Sequence, residues 1–290
     1  MDMATDQGFL NDVKTYYDKN TKRFVNHHES GAVDALHRAV WGPGVTTQEE
    51  AFQYVNQRLL ETIQDLEPRF PSPLRVLDLG CGVGGSLFYL ASRMPIQAVG
   101  VTLSPVQVEL ANRKAQALQL ERQCRFIEAD FLNLPALDPH HAVFAVESFV
   151  HSSDPETFFT SVAALIPPGG RLIICDDFLS ATSPSDNSRK TKRLLEDFRR
   201  GWHVRSLVTT AQAQTYAAKA GLATLDNRDL TPYLALRRPW DRLIGLCVSM
   251  GRGLPLRAPW WLCWLGGHAV QTCLLSGRVE YRVLTFEKCG

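Results

Sequence analysis

The sequence predicts a doubly wound α/β fold on a mostly parallel sheet, and three observations predict it. From residue 74 onward, short apolar runs alternate with stretches of helical pattern. The apolar runs are nearly continuous rather than alternating with polar residues, as in strands covered on both faces. The first run passes directly into a glycine-rich turn and then into a helical pattern. The chain has 290 residues, long for one compact domain and short for two.

Taken in order, residues 9–66 read as helical, with a break at Trp41-Gly-Pro-Gly44. Thr46 or Thr47, followed by Gln48, Glu49 and Glu50, marks a helix start with acids in its first turn. RFPSP is a loop. LRVLDLG is the first strand and SLFYLASRM its helix. IQAVGVTL and SPVQVELANRKAQALQL form the next pair, with proline early in the helix. CRFIEAD is the third strand and HAVFAVES the fourth. DPETFFTSVAALI is a helix, PPGG a turn and RLIICDDFL the fifth strand. Asp176-Asp177 reads as the end of that strand, capping the turn that follows. Residues 185–205 are basic, polar and helical in pattern. TTAQAQTYAAKAGL is a helix closed by glycine, and ATLDNRDLT a strand. Residues 231–275 form an inserted, tryptophan-rich helical segment, and EYRVLTFEKC is the closing strand. The expected division is an N-terminal helical lid over 1–70, a core over 71–230, a helical insertion over 231–275 and the closing core strand over 276–290. An insertion before the last strand would sit over the carboxyl edge of the sheet, where ligands bind in this architecture.

Composition narrows the function classes. Hydrophobic residues are 45% and charged residues 21%, and the net charge is +1, so no massed charge points to nucleic acid. The seven cysteines form no CxxC pair and no metal spacing, as for free thiols in a reducing cytoplasm. MDMATDQGFLND lacks the basic and apolar regions of a secretory signal. Residues 258–277 carry no Asp, Glu, Lys or Arg, but they contain paired glycines, a His, a Gln and a Thr. A buried helix or apolar lid is expected there rather than an integral membrane span. Cytoplasmic location and homo-oligomerisation are the corresponding expectations.

The strongest motif is Val76-Leu-Asp78-Leu-Gly80-Cys-Gly82-Val-Gly84-Gly85, placed after a strand and before a helix. Its glycines let the backbone turn tightly and approach a ligand. Glycines alone would fit NAD, FAD or S-adenosylmethionine (SAM). Asp78 discriminates, because a carboxylate there accepts from an amino group and repels a pyrophosphate. DLGCGVGG resembles motif I of the class I methyltransferases. VGVTLSPVQ resembles the second-strand segment of a subgroup containing the tocopherol, sarcosine, sterol and geranyl diphosphate methyltransferases and the cyclopropane-lipid synthases. The resemblance covers residues 74–180 well. It implies a Rossmann-like class I methyltransferase sheet, SAM as cofactor, and Asp78, Gly80 and Gly82 around it. Many members end the second strand on an acid that binds the ribose. Thr102 stands there instead, with Gln107 able to share the diol. The resemblance also sets Asp130 against the adenine amino group and Phe131 beside the ring.

Methyl transfer from a sulfonium is an in-line displacement, so the protein must align the acceptor and exclude water. An acceptor that loses a proton needs a base; an alkene acceptor leaves a carbocation, which aromatic faces stabilise. Ala145-Val-Glu147-Ser148-Phe149-Val-His151 follows the fourth strand and offers Glu147 and His151 as candidate bases. Tyr16-Tyr17-Asp18 and Ala35-Leu-His37-Arg-Ala-Val-Trp41-Gly-Pro-Gly44 resemble the lid of prenyl- and terpenoid-directed C-methyltransferases. That resemblance implies Glu147 as base, and Tyr17, Trp41 and Trp202 around the acceptor. A diphosphate acceptor would need cations and Mg²⁺; Arg199, Arg200 and His203 are the candidates, and no aspartate-rich metal motif stands out. The expected function is methylation of a hydrophobic small molecule, foremost at an isoprenoid carbon. O- or N-methylation of a natural product and a non-catalytic SAM-binding or scaffold module are the alternatives.

Overall fold

A computed structural model describes residues 37–290 except 187, 237 and 252–257. Seven strands form one sheet in the order β3-β2-β1-β4-β5-β7-β6. They are β1 Leu74–Leu79, β2 Ile96–Thr102, β3 Cys124–Glu128, β4 Ala142–Val146, β5 Arg171–Leu179, β6 Leu222–Asp229 and β7 Val279–Lys288. β1 to β5 run parallel, and β7 is antiparallel to both β5 and β6. The near-continuous burial of β1, β4 and β5 explains their unbroken apolar runs.

Helix α1, Gln48–Gln64, opens on a capping box in which Thr47 and Glu50 satisfy each other's backbone N–H. Its apolar face is not a loose lid. Val55, Leu59, Leu60 and Ile63 join Leu74, Val76 and Leu87 in one core cluster. α2 (Gly85–Ala91), α3 (Pro105–Ala117) and α4 (Pro155–Ala164) are the crossovers between parallel strands. α5 (Arg189–Trp202) and α6 (Thr210–Lys219) precede β6. The insertion between β6 and β7 consists of α7, Pro239–Gly251, and α8, Pro259–Leu275. α8 belongs to the core through Ala269, Val270, Cys273 and Leu274. Among the described residues no helix is long and apolar enough to cross a membrane.

The sheet order reverses between β1 and β4, so the two crossovers leave a crevice at their carboxyl ends. One expectation fails here. Asp176 and Asp177 do not end β5 but lie inside it, opposite Arg282 and Tyr281 of β7. The strand continues because β7 keeps pairing with it as far as Leu179.

Candidate active site

A cavity opens at that crevice, beneath the turn from β1 into α2. Gly80, Gly82 and Gly84 all have positive φ there. Gly80 also passes close to the end of β4: Ser148 Oγ donates to the carbonyl of Leu79 and staples the two strand ends together. Gly100 of β2 leaves room for Phe126 and Cys81 behind the turn.

Asp78 lines the cavity and is 3% exposed. Burial raises its carboxyl well above the usual range, and no described cation opposes it. Thr102 and Gln107 line the far side, where Thr102 Oγ1 donates to Gln107 Oε1 at 2.6 Å. Ser104 caps α3, and Pro105 starts it, so Gln107 is fixed one turn beyond Thr102. Phe131 forms part of the wall and packs edge-on to Phe158. Asp130 stands between Ala129 and Phe131 of the cavity wall, and its Oδ1 accepts from the Leu132 N–H and its Oδ2 from Asn133 Nδ2 in a local turn.

The acceptor side is built from the loop after β4. Glu147 sits at φ 51, a left-handed conformation uncommon outside glycine, and lines the cavity. Its Oε1 accepts from Tyr281 Oη at 2.9 Å and from the Arg38 N–H at 2.8 Å. His151 ends the short 3-10 turn Phe149–His151 and also lines the cavity. Asp176 steadies that turn by accepting the Val150 N–H. His151 Nδ1 lies 3.0 Å from the carbonyl of His203. A carbonyl only accepts, so Nδ1 carries the proton. Burial lowers the pKa of the ring, which leaves it neutral with Nε2 as its basic nitrogen.

Other expected residues go elsewhere. Tyr17 lies outside the described residues. Trp41 is 38% exposed and is held by its backbone N–H to the carbonyl of Tyr233. Trp202 packs on Gly266 and donates Nε1 to the carbonyl of Cys263, because α5 lies against α8. Arg199 and Arg200 occupy the last turn of α5 outside the cavity, and His203 caps that helix with a left-handed backbone. Of these four α5-end residues, only His203 reaches the site, through its carbonyl.

The residues missed were neighbours of those chosen. His37 lines the cavity beside the Arg38 backbone and the Asn56 side chain, and burial lowers its pKa. Arg38 forms a bidentate pair with Asp177 at 2.6 and 2.7 Å. Burial works against both charges; Asp177 more than offsets this for Arg38, whose pKa is raised. The segment ALHRAVWGPG carries the signal in the His and Arg ahead of its tryptophan. Among the described residues no cluster of three or more His, Cys, Asp or Glu is arranged to hold a metal.

Comparison with known proteins agrees with this fold. Residues 76–170 match a methyltransferase domain model. The 27-O-demethylrifamycin SV methyltransferase of Amycolatopsis mediterranei is 30% identical over 208 residues, 71% of this chain and 72% of that enzyme. The norajmaline N-methyltransferase of Rauvolfia serpentina is 32% identical over 54% of this chain, a match that spans 56% of the relative's own length. The geranyl diphosphate C-methyltransferase of Streptomyces coelicolor has the same fold, at TM-score 0.67 and 18% identity over 97% of each chain. The chain belongs to the SAM-dependent methyltransferases.

The cavity fits that cofactor. The glycine turn leaves space where a Cβ would clash, and the buried Asp78 carboxyl has no described cation beside it to meet a ligand's ammonium. Bound SAM supplies an electrophilic methyl on sulfur. In the free site burial favours protonated Asp78, whereas a ligand's ammonium beside it would favour the carboxylate, so binding there would expel a proton. SAM affinity should therefore rise with pH until Asp78 ionises unaided. Asp78→Asn should flatten that dependence. Calorimetry across pH checks this, and a wild-type affinity that falls as pH rises would exclude it.

Proposed function

We propose that this chain transfers the methyl group of SAM to an oxygen or nitrogen of an apolar small molecule, with His151 as the base. One observation carries the reading: a neutral imidazole, fixed through Nδ1 to the His203 carbonyl, on the wall of the cofactor cavity. Such a ring takes the proton of a phenol, alcohol or amine as the nucleophile attacks. The two curated relatives above are named for O- and N-methylation, which supports it. Asp78, Gly80, Gly82, Thr102, Gln107 and Phe131 would hold the cofactor, and His37 would meet a polar group of the bound molecules.

Carbon methylation of an isoprenoid is the second reading, favoured by Glu147. Its carboxylate lines the same cavity at a strained backbone position, and the geranyl diphosphate enzyme shares the fold. A diphosphate acceptor fits less well. No arginine or lysine lines the cavity among the described residues, and Arg38 is committed to Asp177.

The test is label transfer from methyl-labelled SAM to phenols, amines and prenyl diphosphates, with and without Mg²⁺. His151→Asn should cost ~10²–10⁴-fold in kcat on the heteroatom acceptor, while Glu147→Gln stays within about tenfold. The neutral ring is the active form and its pKa is lowered, so kcat/KM should rise with pH and level off below the usual histidine range. His151→Asn should erase that limb. Label in a prenyl carbon, lost in Glu147→Gln, would instead establish the second reading.

A further inference from the structure

The insertion leaves an apolar surface that the site does not use. Trp240 is 61%, Leu246 57% and Met250 70% exposed, and Leu243 completes the row on α7. Their spacing over ten residues puts them on one stripe of a helix. The opposite face, Ile244 and Val248, packs on Trp261 and Leu265 of α8. A Cβ on Gly245 would meet His268, and one on Gly251 would meet Trp261, so α7 and α8 form an antiparallel hairpin. Trp260, 46% exposed, extends the apolar surface at the Met250 end, while Trp240 stands at the other end of α7. Isolated exposed apolar residues are ordinary, but a continuous row with a tryptophan towards each end calls for an occupant.

Charge selects the occupant. Residues 237–257 contain five arginines (237, 238, 242, 252 and 257) and one acid, Asp241, in a chain whose net charge is only +1. Arg242 is exposed beside the stripe. Apolar residues ending in tryptophans, with the exposed Arg242 beside them, suit the boundary of an anionic bilayer, where indoles sit at headgroup depth and arginines reach phosphates. A symmetric contact with a second copy would bring two such arginine-rich segments together. A 13-residue helix is about 20 Å long, enough to lie in the interface and too short to span it.

We propose that the α7–α8 hairpin docks this protein on an anionic lipid surface, with Trp240, Leu243, Leu246, Met250 and Trp260 immersed and Arg238 and Arg242 at the phosphates. This holds whichever atom the enzyme methylates. It gives an apolar acceptor dissolved in lipid a direct place of encounter.

The experiment is co-sedimentation of the full chain with phosphatidylcholine vesicles, with and without phosphatidylglycerol, alongside light scattering of the free protein. The wild type should bind the anionic vesicles and release from them in high salt. Trp240→Ser with Met250→Ser should bind at least about tenfold more weakly, since the withdrawn side chains forgo their buried apolar area. Arg238→Gln with Arg242→Gln should lose the preference for anionic lipid. SAM binding, unchanged in both, would show that they are folded. Wild-type protein that ignores anionic vesicles overturns the proposal. In that case, a dimer dissociated by the double serine variant assigns the face to a second copy. Equal vesicle binding by wild type and the serine variant also overturns it.

Discussion

Replacing Arg38 with methionine is expected to destabilise the fold by ~3–5 kcal/mol, the cost of leaving a buried charge without its partner. The pair is well enclosed: the side chains of Arg38 and Asp177 are 17% and 4% exposed. The guanidinium also lies 4.9 Å from the Tyr281 ring centroid and 5.5 Å from that of Trp202. Without it, Asp177 would face Asp176 and Glu147 with nothing to balance them, since burial already raises both aspartates. The double variant Arg38→Met, Asp177→Leu should recover most of the loss, because replacing both ions by apolar groups removes the penalty. Denaturant unfolding measures both. A loss under about 1 kcal/mol in the single variant would mean that the pair is no more than a surface salt bridge in its effect.

Gly80→Ala should abolish SAM binding at accessible concentrations. Two independent reasons converge there. The residue has φ 93, which costs a residue bearing a Cβ about 1–2 kcal/mol. The added Cβ would also stand 2.3 Å from Ser148 Cβ and 2.8 Å from its Oγ. Ser148 cannot easily yield, because its hydroxyl is bonded to the Leu79 carbonyl. The β1 and β4 ends would have to part, and the cavity lies between them. Gly44→Ala is the control: φ is 84 but no atom lies within 4 Å of the new Cβ. It should lose about 1–2 kcal/mol of stability and keep its cofactor affinity. Calorimetric titration with SAM separates the two, and near-normal affinity in Gly80→Ala would refute the close-approach account.

The sheet and the cofactor turn were legible because they are written in local pattern. Buried parallel strands give continuous apolar runs, and the turn needs glycines at fixed offsets after a strand. Asp78, Thr102, Gln107, Glu147 and His151 followed from strand ends, since in this architecture strand ends determine which residues reach the crevice. Contacts between distant residues were not legible. Arg38 and Asp177 are 139 positions apart, and a mid-strand aspartate pair looks like a strand end until β7 is seen alongside it. The packing of Trp202 and the arginines before it was not legible, because the placement of α5 depends on α8. Gly201 and Gly266 let those two helices meet backbone to backbone, and no pattern within either segment announces that meeting.

The place of β7 bears on how the chain is made. β7 follows every other strand in sequence yet lies between β5 and β6 in the sheet. On a ribosome, β6 emerges with no strand beside it, and β5 keeps one edge open until residues 279–288 are free of the exit tunnel. The sheet therefore closes only after translation has passed Lys288. A nascent chain stalled before Val279 would offer the open edge of β5 and both edges of β6 to chaperones or to aggregation.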